Sequence, residues 1–73
     1  MRASSIAASG MSQAADRFAR ASERLVRAVS AGDETDALDA RMDQMEAETE
    51  FKANAESRRV ADETMGALLD ILV

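Results

Sequence analysis

The chain contains no proline, and one glycine-bearing segment near its middle is the only marked interruption of helix-forming sequence. Alanine, arginine, glutamate, methionine and leucine, which favour helices, dominate the rest. Gly32 suits the position after a helix C-terminus, and Asp33, Thr35 or Asp36 could each cap a new helix. We therefore predict an all-α, two-helix antiparallel hairpin, with a helix over residues 4–31, a loop over 32–35 and a helix over 36–72.

The size of the chain makes association necessary. Seventy-three residues form one small domain at most, which buries little apolar surface alone. Small folds usually gain stability from disulfides, a metal or oligomerisation. The sequence has no cysteine and no histidine, which excludes disulfides and removes the commonest metal ligand and general base. We expect a homo-oligomer, a dimer or tetramer in isolation, that forms a helical bundle.

Apolar residues of the first helix follow alternating steps of four and three from Ala7 to Ala28. This spacing is the heptad seam of a coiled coil, with Met11, Phe18 and Leu25 at one core position and alanines at the other. The alternation of large and small side chains favours close approach of a neighbouring helix. The second helix, predicted to be longer, should extend beyond the end of the first.

The second helix carries more apolar residues than one neighbour can cover. Leu38, Met42 and Met45 form one stripe in its first half, which we expect to pack against the large residues of the first-helix seam. From about Ala53 to Val73 two faces of the second helix are apolar. Exposed apolar surface of this kind marks an interaction site. The residues predicted for helix packing and assembly are Met11, Phe18, Leu25, Leu38, Met42, Met45, Phe51, Val60, Met65, Leu68, Leu69, Ile71 and Leu72.

Charge is distributed unevenly along the chain. Residues 1–31 hold five arginines and two acids, whereas residues 32–73 hold four basic residues and twelve acids. The net charge of −5 argues against nucleic acid as a partner. The arginines either form a solvated face or complement the acids of the second helix, and both arrangements can hold at different positions.

We expect neither catalysis nor a bound cofactor or metal. Glu46 and Glu50 lie one turn apart, as do Asp39 and Asp43, but helical carboxylate metal sites normally include a Glu-x-x-His motif. The serines have no histidine to activate them, and no small-molecule substrate is expected. No run approaches the roughly 20 apolar residues of a membrane span, and the N-terminus lacks the apolar region of a cleaved secretory signal.

Several short segments, taken in their order along the chain, carry a family resemblance. Residues 6–12 read IAASGMS, and residues 42–47 read MDQMEA, followed by FKANA at 51–55, ADETM at 61–65 and LLDI at 68–71. The first segment is similar to the N-terminal signature of the bacterial flagellar basal-body rod and hook family. The later segments resemble that family's C-terminal helix, with the proximal rod proteins as the closest match.

The resemblance implies a structural protein whose terminal helices pair and then pack against neighbouring rod or hook subunits in the basal body. It also implies export to the periplasm through the flagellar type III channel. The chain departs from the family in two ways: charged residues such as Glu23 and Arg24 replace an asparagine-rich stretch, and the mostly β middle segment is missing.

Two non-enzymatic alternatives remain open. The first is a small adaptor, regulator or export chaperone, in the cytoplasm, that binds the helices of flagellar or type III secretion partners. The second is a needle-type subunit of a type III secretion apparatus. The loop lacks the proline and asparagine typical of such needle subunits.

Overall fold

The protein, described here by a computed structural model, is a two-helix antiparallel hairpin. The structure describes residues 2–72, so Val73, at the end of the predicted assembly segment, lies outside the described residues. Helix α1 spans Arg2–Ala31 and helix α2 spans Glu34–Leu72. The hairpin is 61 Å long and only 13 by 11 Å across. The predicted all-α hairpin is confirmed.

The turn is held by a Schellman motif at the end of α1. The amide of Gly32 donates to the carbonyl of Val29 at 3.1 Å, and that of Asp33 donates to the carbonyl of Ala28 at 2.9 Å. These bonds satisfy carbonyls that the helix end would otherwise leave unpaired. Gly32 has a φ of 73°, a left-handed conformation that glycine adopts without steric cost.

Helix α2 begins earlier than predicted. Asp33 accepts a hydrogen bond at 3.0 Å from the backbone amide of Asp36, so Asp33 is the N-cap and Asp36 lies in the first turn. Glu34 and Asp36 also place negative charge at the positive end of the helix dipole. The connection is therefore shorter than the predicted loop over 32–35, because the first of the three candidate caps is the one used.

The helices contact each other along a line of small side chains. Every seventh residue of α1 is a buried alanine, and the buried residues of α2 are Ala40, Gln44 and Ala47. Alanine side chains allow two helix backbones to approach closely. No side chain of residues 2–72 larger than alanine is fully buried. The buried alanines of α1 are Ala7, Ala14, Ala21 and Ala28.

The large residues of the α1 heptad lie along the edge of the seam. Met11 and Leu25 are half-buried, and Phe18 stays 41% exposed. These side chains flank the alanine line and cover part of it from one side. The predicted heptad is therefore present, but the alanines form its centre.

The rotation of α2 differs from the sequence expectation. Leu38, Met42 and Met45 are between 58% and 66% exposed and do not form the seam of the hairpin. The seam runs instead through the line of Ala40, Gln44 and Ala47. This rotation allows the small residues of the two helices to meet and brings the acids of α2 beside the arginines of α1. The three residues remain predictions for assembly only.

Candidate assembly surfaces

Two arginines of α1 bind acids of α2 along one side of the seam. Arg17 lies between Glu46 and Glu50, with nitrogen–oxygen distances of 3.2 and 2.5 Å. Ion pairs of this kind fix the rotation and register of the two helices more than they stabilise them, because both carboxylates are more than half exposed and Arg17 keeps 37% of its side-chain surface in water.

Arg24 makes the second cross-helix cluster, nearer the turn. Its guanidinium donates to Asp36 at 2.5 Å and to Asp43 at 3.2 Å, while Asp39 lies at 3.8 Å. Hydrogen bonding to Asp36 raises the pKa of Arg24, as hydrogen bonding to Glu50 raises the pKa of Arg17. The complementarity of a basic first helix and an acidic second helix is thus present at these positions.

A polar pair interrupts the alanine seam. Gln44 is 8% exposed, and its amide donates to the Ser22 hydroxyl at 2.8 Å. That hydroxyl donates in turn to the carbonyl of Phe18 at 2.9 Å. A satisfied polar group in a coiled-coil seam specifies register, because sliding the helices would bury it without a partner. Sequence patterns did not single out Gln44.

A close approach of the helices occurs at Gly10. A Cβ atom placed there would lie 2.6 Å from Oδ1 and 2.7 Å from Cγ of Asn54. The Asn54 amide donates to the carbonyl of Glu50 at 2.9 Å, which holds the side chain over the glycine. Both residues belong to segments quoted for the family resemblance, but the contact between them was not predicted.

The far end of α2 extends past α1. The Ser4 hydroxyl donates to Asp62 at 3.0 Å, so these residues are level, and α2 beyond about Thr64 passes the level of Arg2. Leu68, Leu69, Ile71 and Leu72, all predicted assembly residues, are between 48% and 81% exposed there. We call this segment, residues 65–72, the overhang.

A shallow groove of about 530 Å³ opens beside the overhang. Its walls are mainly small and apolar, with Ala3 of α1 facing Val60, Ala61, Thr64 and Met65 of α2. The structure therefore brings together two of the predicted assembly residues, Val60 and Met65. The other predicted residues lie on different sides of the hairpin. Phe51 is partly covered beside the seam, and the stripe of Leu38, Met42 and Met45 near the turn is exposed.

A cluster of charge is formed within α2, and one of its members, Glu56, also borders the groove between α2 and the start of α1. Arg59 hydrogen-bonds Glu56 and Glu63, one turn to either side. The hydrogen bond from Arg59 lowers the pKa of Glu56, and the same contact raises the pKa of Arg59. This cluster supports the helix locally, as pairs three or four residues apart do.

The fold and these surfaces describe an elongated two-helix hairpin with an alanine seam, an ionic side and an apolar overhang. Neither described helix has the length and apolar character needed to cross a membrane. No protein-family model, no curated protein and no solved structure matches the chain.

Proposed function

We propose that the protein is a non-enzymatic structural protein that assembles through helix–helix contacts, in the manner of the terminal helical domain of flagellar rod proteins. The observation that carries the proposal is the exposure of four aliphatic side chains in the overhang, Leu68, Leu69, Ile71 and Leu72. Apolar surface of this density on a narrow hairpin is typical of a contact with another helix.

The geometry of the hairpin supports the same proposal. Because its seam uses alanine, it is thin enough to join a bundle as two neighbouring helices. Its long axis of 61 Å offers a continuous lateral surface to neighbours. A rod-like role would place the protein in the bacterial flagellar basal body after type III export, with other copies and rod or hook subunits as partners.

The proposal is tested by removing residues 66–73 and measuring assembly by light scattering and electron microscopy. We expect the full chain to form oligomers and the truncated chain to lose the higher ones. A matched control carries Val26→Ser, which removes an exposed aliphatic side chain of α1 that is not among the predicted assembly residues. Unchanged oligomer mass after the truncation would contradict the proposal. Co-purification with isolated basal bodies tests the flagellar assignment separately.

A second candidate function is an adaptor or export chaperone that binds the helices of a partner. The outward stripe of Leu38, Met42 and Met45 favours it, because exposed methionines adapt to differently shaped apolar partners. This function requires a stable heteromeric complex in pull-down experiments, lost on Met42→Ser with Met45→Ser, and no homotypic polymer. A cytoplasmic location would suit it.

A further inference from the structure

We propose that one broad face of the hairpin pairs with the same face of a second copy, about a twofold axis parallel to the helices. The face lies on the side of the seam that carries the Arg17 and Arg24 clusters. This inference rests on the proposed assembly function and specifies its first step, a symmetric four-helix dimer.

The α1 edge of this face is a line of residues seven apart. Such residues lie one above another on a coiled-coil helix. The line runs Ile6, Gln13, Arg20 and Arg27, so it changes from apolar near the open end to basic near the turn. All four are exposed, and among residues 2–72 neither arginine has an ion-pair partner within 4.0 Å. Arg20 borders the same groove as Arg17 and Glu50, which locates the line on the ionic side.

The α2 edge is a second line with the same spacing. It runs Asp39, Glu46, Ala53 and Val60, from acidic near the turn to apolar near the open end. Asp39 and Glu46 approach Arg24 and Arg17 but keep 63% and 61% of their side-chain surface in water. A carboxylate has about four acceptor sites, so each can bind a second arginine from outside.

The register of the hairpin aligns the two edges in height. Ser22 is opposite Gln44, and in an antiparallel pair each step toward the turn on α1 matches one step toward the turn on α2. Every residue of the α1 edge is therefore level with one residue of the α2 edge. The level pairs are Arg27 with Asp39, Arg20 with Glu46, Gln13 with Ala53 and Ile6 with Val60.

A twofold axis parallel to the helices brings the level residues of two copies into contact. It places α1 of one copy over α2 of the other without changing height, so each basic residue meets an acid and Ile6 meets Val60. A twofold axis across the middle of the hairpin would instead place α1 over α1 with the heights reversed. Arg27 would then meet Ile6 and Asp39 would meet Val60, so no charge would find an opposite charge. Charge complementarity therefore favours a second copy of the chain on this face, related to the first by the twofold axis parallel to the helices.

The area of the face suits a stable dimer. The overhang takes up about 12 Å of the 61 Å length at 1.5 Å per residue. The remaining face, about 49 by 13 Å, covers about 640 Å² per partner, near the lower end of the range for stable specific interfaces. The apolar groove beside Val60 and Ala61 lies within this area, and its small walls leave room for Ile6 of the other copy. The overhang stays free in this dimer for the further assembly proposed above.

Charge reversal tests the pairing by sedimentation velocity at low salt. The full chain should be dimeric. Arg27→Glu alone and Asp39→Arg alone each create two like-charge contacts per dimer, and each should weaken dimerisation about tenfold or more. The double variant restores opposite charges and should dimerise like the wild type, as should an equimolar mixture of the two single variants. Arg41→Glu, beside Gln44 on the other side of the seam, lowers the net charge as Arg27→Glu does and is the control for that variant.

Cysteine cross-linking provides a second test that does not depend on charge. Since the chain has no cysteine, Ile6→Cys mixed with Val60→Cys should form a mixed disulfide, whereas Ser12→Cys mixed with Val60→Cys should not. Circular dichroism verifies that all variants remain helical.

The pairing would be overturned if the wild type were monomeric, if the single variants dimerised normally, or if mixing them did not restore dimerisation. It would also be overturned if the chain paired only with a helix of another protein. Wild-type dimers that form no larger assemblies would leave the pairing intact and remove the structural function.

Discussion

The contact between Gly10 and Asn54 predicts a strong coupling between two substitutions. In a helix interior, replacing glycine with alanine normally stabilises by about 1 kcal/mol. At Gly10 the new Cβ would meet the Asn54 side chain at 2.6–2.8 Å, so the amide must rotate away. It then loses its hydrogen bond to the carbonyl of Glu50, which costs about 1 kcal/mol. We expect Gly10→Ala to leave stability unchanged or to lower it by up to about 1 kcal/mol.

Asn54→Ala removes the obstruction, so Gly10→Ala in that background should recover its gain of about 1 kcal/mol. The coupling energy from urea unfolding of the four proteins, at one fixed protein concentration, should therefore be about 1–2 kcal/mol. Gly66→Ala is the control for helix propensity, because its Cβ meets nothing within 4 Å, and it should raise helicity regardless of Asn54. A stabilising Gly10→Ala in the wild type, with no coupling, would refute the close approach.

Three further outcomes follow from the seam, the turn and the charge cluster within α2. Ala47 is fully buried, so Ala47→Leu should cost about 1–3 kcal/mol by overpacking, whereas Met42→Ala should change the unfolding of the hairpin by less than about 0.5 kcal/mol. Gly32→Ala should cost about 1–2 kcal/mol because the residue has a φ of 73°, and D-alanine there should stabilise it. Hydrogen bonding to Arg59 lowers the pKa of Glu56. The ion pair therefore stabilises the helix at pH values above the pKa of Glu56 in the unfolded chain, and this stabilisation is lost as pH falls through the lower pKa of the folded chain. NMR titration should find the pKa of Glu56 below its value in the unfolded chain, and high salt should raise it.

The architecture of the hairpin was predictable because its signals are local. The absence of proline and the position of Gly32 define two helices and one turn. The steps of four and three from Ala7 to Ala28 identify the face of α1 that meets α2, since a heptad repeat needs only one helix to be recognised. The uneven charge made contacts between arginines of the first helix and acids of the second one of two expected arrangements, but it did not identify Arg17 and Arg24 as the residues that make them.

The rotation of α2 was not predictable from its own sequence. Leu38, Met42 and Met45 are its largest apolar residues near the turn, and hydrophobicity alone favours them for the seam. The choice of Ala40 and Ala47 depends on the alanines of the other helix, which allow a close approach only to small residues. The Gln44 hydrogen bond and the Asn54 contact have the same origin, because both exist only in the register of the assembled pair.

The alanine seam links the fold of one chain to the need for others. Burying an alanine removes little apolar surface from water, and the contribution of burial scales with that surface. The larger aliphatic residues of α2, such as Leu38 and Leu72, remain exposed and contribute little to the hairpin. Ion pairs at Arg17 and Arg24 specify the arrangement, but exposed pairs add little stability. Most of the available apolar surface can therefore become buried only when hairpins or partner helices meet, so folding and assembly draw on different residues of the same two helices.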